Sequence, residues 1–135
     1  MIRTYIDSGV LIAAARGSEK LGRRALAVIS DSRTRQFVSS DYVKSETIPK
    51  PTFFGRHEEL RFYEQFFSTV DTWIQFDNAH LVSAFDEACA TGLAWVDAIH
   101  VVVAQLSGCE EIITSEKQTS AIHRTRRVRI VSIDE

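Results

Sequence analysis

Two apolar rhythms alternate along the whole chain, and that alternation limits the folds open to it. Short β-prone runs occur at residues 2–6, 36–39, 72–76, 111–114 and 128–133. Between them lie stretches whose apolar residues recur at helical spacing. Val10 to Ala15 is a short helix candidate. Leu21, Ala25, Leu26, Val28 and Ile29 form a stripe with Ser18 as its N-cap. Asp41 caps a helix through Tyr42, Val43 and Glu46 that Pro49 and Pro51 stop. Leu60, Tyr63, Phe67 and Val70 form another stripe. Leu81, Ala84, Phe85, Ala88 and Cys89 share one helical face that ends near Gly92. A last helix from about Val96 turns Ile99, Val102, Val103 and Leu106 inward and stops at Gly108. Strands alternating with helices predict a three-layer α/β/α domain with a mainly parallel five-stranded sheet. In such sheets ligands bind beyond the carboxyl ends of the strands, at the topological switch point.

Four acids from distant parts of the chain fall at that end. Asp7 follows the first strand. Glu46 lies on the helix after the second. Asp97 opens the helix leading into the fourth, and Glu116 lies just past it. Asp97 sits among Trp95, Val96, Ala98 and Ile99, so its carboxylate is expected to be half-buried, which is costly without a counter-charge. Taken singly, each acid has a plain structural use: a turn or cap for Asp7, a helix surface for Glu46, a cap for Asp97, a loop charge for Glu116. Their convergence is what points to a metal. Mg²⁺ and Mn²⁺ prefer hard oxygen ligands and keep several waters, so a few carboxylates plus phosphate oxygens make a site. Such ions activate water for attack on a phosphodiester.

Composition sets the frame. The chain has 135 residues, enough for one domain (1–135) with a core of its own and no disulfide staples. Cys89 and Cys109 match no zinc or redox spacing, which suits a reducing compartment. The N-terminus meets Asp7 too early for a secretory signal, and Asp97 and His100 interrupt the most apolar stretch. A cytoplasmic protein with no membrane span is expected. Net charge is −2, which argues against a uniformly basic nucleic-acid binder. Yet Lys117, Arg124, Arg126, Arg127 and Arg129 occur within thirteen residues without an acid. That run suits phosphates at one edge, and equally a solvated terminal segment. Lys44, Lys50, Arg56 and His57 flank the Glu46 helix, where they suit an anionic ligand and equally a solvated surface.

With these residues in view the chain resembles the PIN-domain family, including its VapC-like ribonuclease toxins. The segments "YIDSGVLIAAA", "FVSSDYVKSETIPK", "LAWVDAIHVVVAQ" and "EIITSEKQTS" resemble, in order, the family's strand with first aspartate, its helix with an inward glutamate, the helix that opens on the third acid, and the strand and loop with a fourth. The resemblance covers essentially the whole chain. It implies metal binding by Asp7, Glu46 and Asp97. Glu116 stands where the family more often has Asp, and its extra methylene suits binding through water or at a second ion only. Thr114 and Ser115 match the small hydroxyl positions beside that acid, able to bond a ligand carboxylate or a water. The resemblance further implies one or two Mg²⁺ or Mn²⁺ ions, cleavage of single-stranded RNA to a 5′-phosphate and a 3′-hydroxyl, a homodimer, and a small antitoxin partner. Lys44, Lys117, Arg124, Arg126 and Arg127 are the candidate RNA contacts.

Three other readings compete. A catalytically silent PIN-like module would bind RNA or protein without metal-dependent cleavage. A receiver-like phosphoacceptor needs paired acids after the first strand, and Asp7 follows Ile6. A haloacid-dehalogenase-type phosphatase needs a second aspartate two residues on, where Gly9 stands. His100, one turn after Asp97, reads as a packed or interface histidine within reach of the acidic cleft. Phe53, Phe54, Phe62, Tyr63, Phe66 and Phe67 are too many aromatics for one helix face. Some are expected in the core, the rest in an interface patch.

Overall fold

The computed structural model describes residues 1–17 and 19–134. Among these residues five strands, β1 (Ile2–Ile6), β2 (Arg35–Ser40), β3 (Thr72–Ile74), β4 (Glu111–Thr114) and β5 (Arg129–Ser132), form one sheet in the order β3-β2-β1-β4-β5. Every pairing is parallel, with Ile6 opposite Ile113 and Thr114 opposite Ser132. Tyr5, Ile6, Phe37, Val38, Ile112 and Ile113 are all buried. Neighbouring strand residues point to opposite faces, so both faces of the central strands are covered, which makes three layers. The chain winds outward from β1 through β2 to β3, then returns to build β4 and β5 on the other side. The switch point therefore lies between β1 and β4.

Among the described residues seven α-helices make the outer layers: α1 (Ser8–Arg16), α2 (Lys20–Ile29), α3 (Asp41–Thr47), α4 (Pro49–Phe53), α5 (His57–Ser68), α6 (Asn78–Thr91) and α7 (Trp95–Leu106). A 3₁₀ turn, Ala121–Arg124, joins β4 to β5. The expected cap Ser18 lies outside the described residues. Gly92 closes α6 in the left-handed conformation, φ 74°, which glycine adopts without strain. No single helix among the described residues is long and apolar enough to cross a membrane.

Several local expectations are corrected. Ser40 caps α3, its hydroxyl accepting from the Val43 amide at 3.3 Å. Asp41 is the first helical residue, and its carboxylate instead accepts from Trp73 Nε1 and the Phe76 amide, both at 2.9 Å. That bond takes Phe76 out of the ladder, so β3 ends at Ile74. Pro49 does not only end a helix; it starts α4, where its missing amide hydrogen costs nothing.

The inward face of α6 is His80, Ala84 and Glu87, while Leu81, Phe85 and Cys89 are exposed. Polar groups can face inward there because each finds a partner. His80 Nδ1 meets the Tyr42 hydroxyl at 2.9 Å. Glu87 accepts from Thr125 Oγ1 at 2.6 Å and Arg127 Nε at 2.9 Å. On α7, Ile99, Val102 and Val103 are buried as expected, but Leu106 in the last turn is exposed. Of the six aromatics, Tyr63 and Phe66 are core, and Phe53 and Phe54 lie on the surface.

Candidate metal centre

Asp7 ends β1 beside the switch point. It occupies the N-cap position of α1, yet its side chain makes no capping hydrogen bond. Its Oδ2 instead accepts from Thr114 Oγ1 at 3.1 Å, at the end of neighbouring β4. The Thr114 hydroxyl also accepts from the Glu116 amide at 3.1 Å, which fixes the start of the loop after β4. Ser115 packs over Gly9, where an added Cβ would clash with the Ser115 hydroxyl. A Cβ at position 9 would require the Ser115 hydroxyl to turn away.

Glu46 projects from the last turn of α3, with its side chain 35% exposed, and its Oε1 is hydrogen-bonded to Nε2 of His100. His100 is 1% exposed, and its Nδ1 lies 2.7 Å from the Tyr5 hydroxyl. Asp97, in the first turn of α7, makes no side-chain hydrogen bond among the described residues and is partly buried. Glu116 is exposed, accepts from Ser120 Oγ at 3.1 Å, and lies near enough to Asp97 for their charges to interact.

The acids perturb one another. Burial pushes the Asp7 carboxyl above its usual range, partly offset by His100 and the Thr114 hydroxyl. Burial raises Asp97 as well, and the negative charge of Asp7 adds to it. For His100, burial opposes the charged form, but the hydrogen bond to Glu46 and the charges of Asp7, Glu46 and Asp97 hold its pKa above the ordinary imidazole range. Such a cluster is short of positive charge, and a divalent cation supplies it.

Ligand atoms of Asp7, Glu46 and His100 lie within 4.8 Å of one another. The residues present therefore fit a cation: hard carboxylate oxygens, one half-buried acid without a partner, and a cleft at the switch point. Both ring nitrogens of His100 are engaged, Nε2 by Glu46 and Nδ1 by the Tyr5 hydroxyl. The structure brings Asp7, Glu46 and His100 into direct contact range, keeps Asp97 and Glu116 at electrostatic range, and sets Thr114 against Asp7.

The basic residues divide. Lys44 and Lys117 are exposed on the two segments that carry Glu46 and Glu116. Arg126 is also exposed, whereas Arg124 donates to the Thr91 carbonyl at 3.0 Å. Arg127 is held by Glu87 and donates to Gln105 Oε1 at 2.8 Å, near the far end of α7. Gln105 is eight residues beyond Asp97, about 12 Å of helix rise. Tyr5 has no place in the sequence reading. One signal for it exists, a tyrosine two residues before the first acid, next to Ile6 in β1.

A sequence model of the PIN domain matches residues 4–126. No curated protein matches the chain by sequence. Among solved structures, VapBC2 from Rickettsia felis, bound to a DNA fragment from its promoter, is similar with a TM-score of 0.74 and 12% identity, covering 98% of this chain and 100% of that one. A toxin–antitoxin complex from Klebsiella pneumoniae has a TM-score of 0.64 and 22% identity, covering 85% and 88%. VapC20 of Mycobacterium tuberculosis, a sarcin–ricin loop cleaving toxin, has a TM-score of 0.66 and 14% identity, covering 87% and 92%.

Proposed function

The chain belongs to the PIN-domain family, and from that premise we propose that it is a Mg²⁺- or Mn²⁺-dependent endoribonuclease, the toxin of a toxin–antitoxin pair. The observation that supports the metal-dependent reading is the gathering of Asp7, Glu46 and His100 ligand atoms within 4.8 Å at the switch point, with Asp97 close enough for its charge to interact with Asp7 and Glu46. Asp7, Glu46 and Asp97 would hold the first ion, and Glu116 would help place a second ion or the attacking water. When bound, such an ion supplies Lewis-acid neutralisation of the phosphodiester and makes water a stronger nucleophile.

The chain's own groups do the rest. Thr114 holds the Asp7 carboxylate, and Ser115 keeps the neighbouring loop against α1. Lys44 and Lys117 flank the acids and would hold RNA phosphates on either side of the scissile bond. Arg124, Arg126 and Arg127 would be further phosphate contacts in this reading. Water adds to phosphorus and the 3′-oxygen leaves, giving a 5′-phosphate and a 3′-hydroxyl on single-stranded RNA. The solved neighbours described as toxin–antitoxin complexes support a small antitoxin partner for this chain. The family expectation of a homodimer is carried with it.

Incubating purified protein with a complex RNA pool, then sequencing new 5′ ends, tests the reading. Cleavage that needs Mn²⁺ or Mg²⁺ and leaves 5′-phosphates supports it. RNA binding without cleavage in any divalent ion would favour the silent module.

A further inference from the structure

A hydrogen-bonded chain runs behind the acids and ends on one of them. The Val43 amide donates to Ser40 Oγ at 3.3 Å. Ser40 Oγ lies 2.7 Å from the Tyr5 hydroxyl, and that hydroxyl lies 2.7 Å from His100 Nδ1. His100 Nε2 then meets the Glu46 carboxylate. Four elements are joined in this way: β1, the end of β2, α3 and α7.

Nε2 faces a carboxylate, so it carries a hydrogen and donates. Tyr5 and His100 are 0% and 1% exposed, so neither can touch RNA or exchange partners with water. Glu46 is the opposite case. It sits on a short helix with its side chain 35% exposed, where a glutamate is free to swing into solvent. The imidazole is the one described hydrogen-bond partner its carboxylate has. A ligand that must meet Asp7 within a few ångströms gains from being held there before the ion arrives.

We propose that Tyr5 and His100 are positioning residues: Tyr5 fixes the ring of His100, and His100 holds Glu46 in the orientation that completes the cation site. This rests on the metal-dependent reading above. The buried pair leaves the second carboxylate oxygen of Glu46 for the ion. Its effect is on affinity, with no part in the bond-breaking step. An imidazole that ligated the ion itself would give a different signature, because a nitrogen donor favours Mn²⁺ over Mg²⁺.

The test is Mn²⁺ and Mg²⁺ affinity of the full, metal-stripped chain, followed by electron paramagnetic resonance of free Mn²⁺ and by Mg²⁺ competition. Tyr5→Phe, which keeps the ring and the packing, is expected to weaken both ions by a common factor of about 10. His100→Gln, which retains a donor near Nε2, is expected to bind more tightly than His100→Leu, which fills the space without one. Unchanged affinity in Tyr5→Phe, or equal affinity in the Gln and Leu variants, overturns the proposal. Selective loss of Mn²⁺ overturns it in favour of His100 as a ligand. Failure of the unaltered chain to bind either ion overturns the metal reading itself, an outcome distinct from the others. If the His100 variants do not fold, Tyr5→Phe decides alone.

Discussion

Thr114 donates a 3.1 Å hydrogen bond to Asp7 across the gap between β4 and β1. The two residues are 107 positions apart, and the parallel register brings them together at the switch point of the sheet. A carboxylate that is only 9% exposed is held there by a hydroxyl.

Removing that hydroxyl while keeping the shape isolates its contribution. Thr114→Val is expected to cost about 1–3 kcal/mol of stability in urea denaturation, because a buried charged acceptor loses its donor. It should also weaken Mn²⁺ binding about tenfold. Unchanged stability and affinity together would mean that the hydroxyl contributes nothing to Asp7.

Glu111 makes the contrasting prediction, away from the acids. It is 1% exposed and accepts from Thr4 at 2.7 Å, Arg35 at 3.0 Å and Arg129 at 3.1 Å. Burial alone would raise its pKa, but these donors and the Arg35 charge hold it below the usual range. Glu111→Gln is expected to cost about 1–3 kcal/mol and to leave Mn²⁺ affinity as it was. Calorimetric melting and ion titration of the same sample check both halves.

The pH dependence of the metal-free protein follows from signs. Asp7 and Asp97 have folded pKa values above their unfolded ones, so folding favours their protonated forms. Their contribution is fully present below the unfolded carboxylate pKa and is lost as pH rises through the raised folded values. Glu111 runs the other way: its contribution is present above its unfolded pKa and is lost as pH falls through the depressed value. Asp7→Asn should therefore melt higher than the unaltered chain at pH 7 without metal, by a margin that shrinks toward pH 4. The same variant should lose the rise in melting temperature that Mn²⁺ gives. A margin independent of pH would contradict the raised Asp7.

Much of the sheet was legible because strand and helix periods differ and the strand residues are apolar on both faces. Asp7 was placed by strand direction, since it follows β1, and Asp97 by the reverse, since a helix that leads into a parallel strand begins at the carboxyl end of the sheet. The α6 face was not legible. His80 and Glu87 turn inward because Tyr42, Thr125 and Arg127 satisfy them, and those partners are 38 to 40 residues away. Hydropathy spacing favours Leu81 and Phe85 and has no access to such pairings. The Asp41 cap failed for a similar reason: Trp73 and Phe76 claim its carboxylate from across the sheet edge. The pairing of Tyr5 with His100 was hidden because its members lie on different elements and each alone looks like core.

The central claim is that the Asp7–Glu46–Asp97 site performs metal-dependent RNA hydrolysis. The most direct measurement is Mn²⁺-dependent cleavage of one RNA pool by the unaltered chain, Asp7→Asn and Asp97→Asn, with folding of each checked by melting. The account predicts cleavage by the unaltered chain that stops on chelation, and none by either folded variant. Full activity in a folded variant, or undiminished cleavage under chelation, would contradict it.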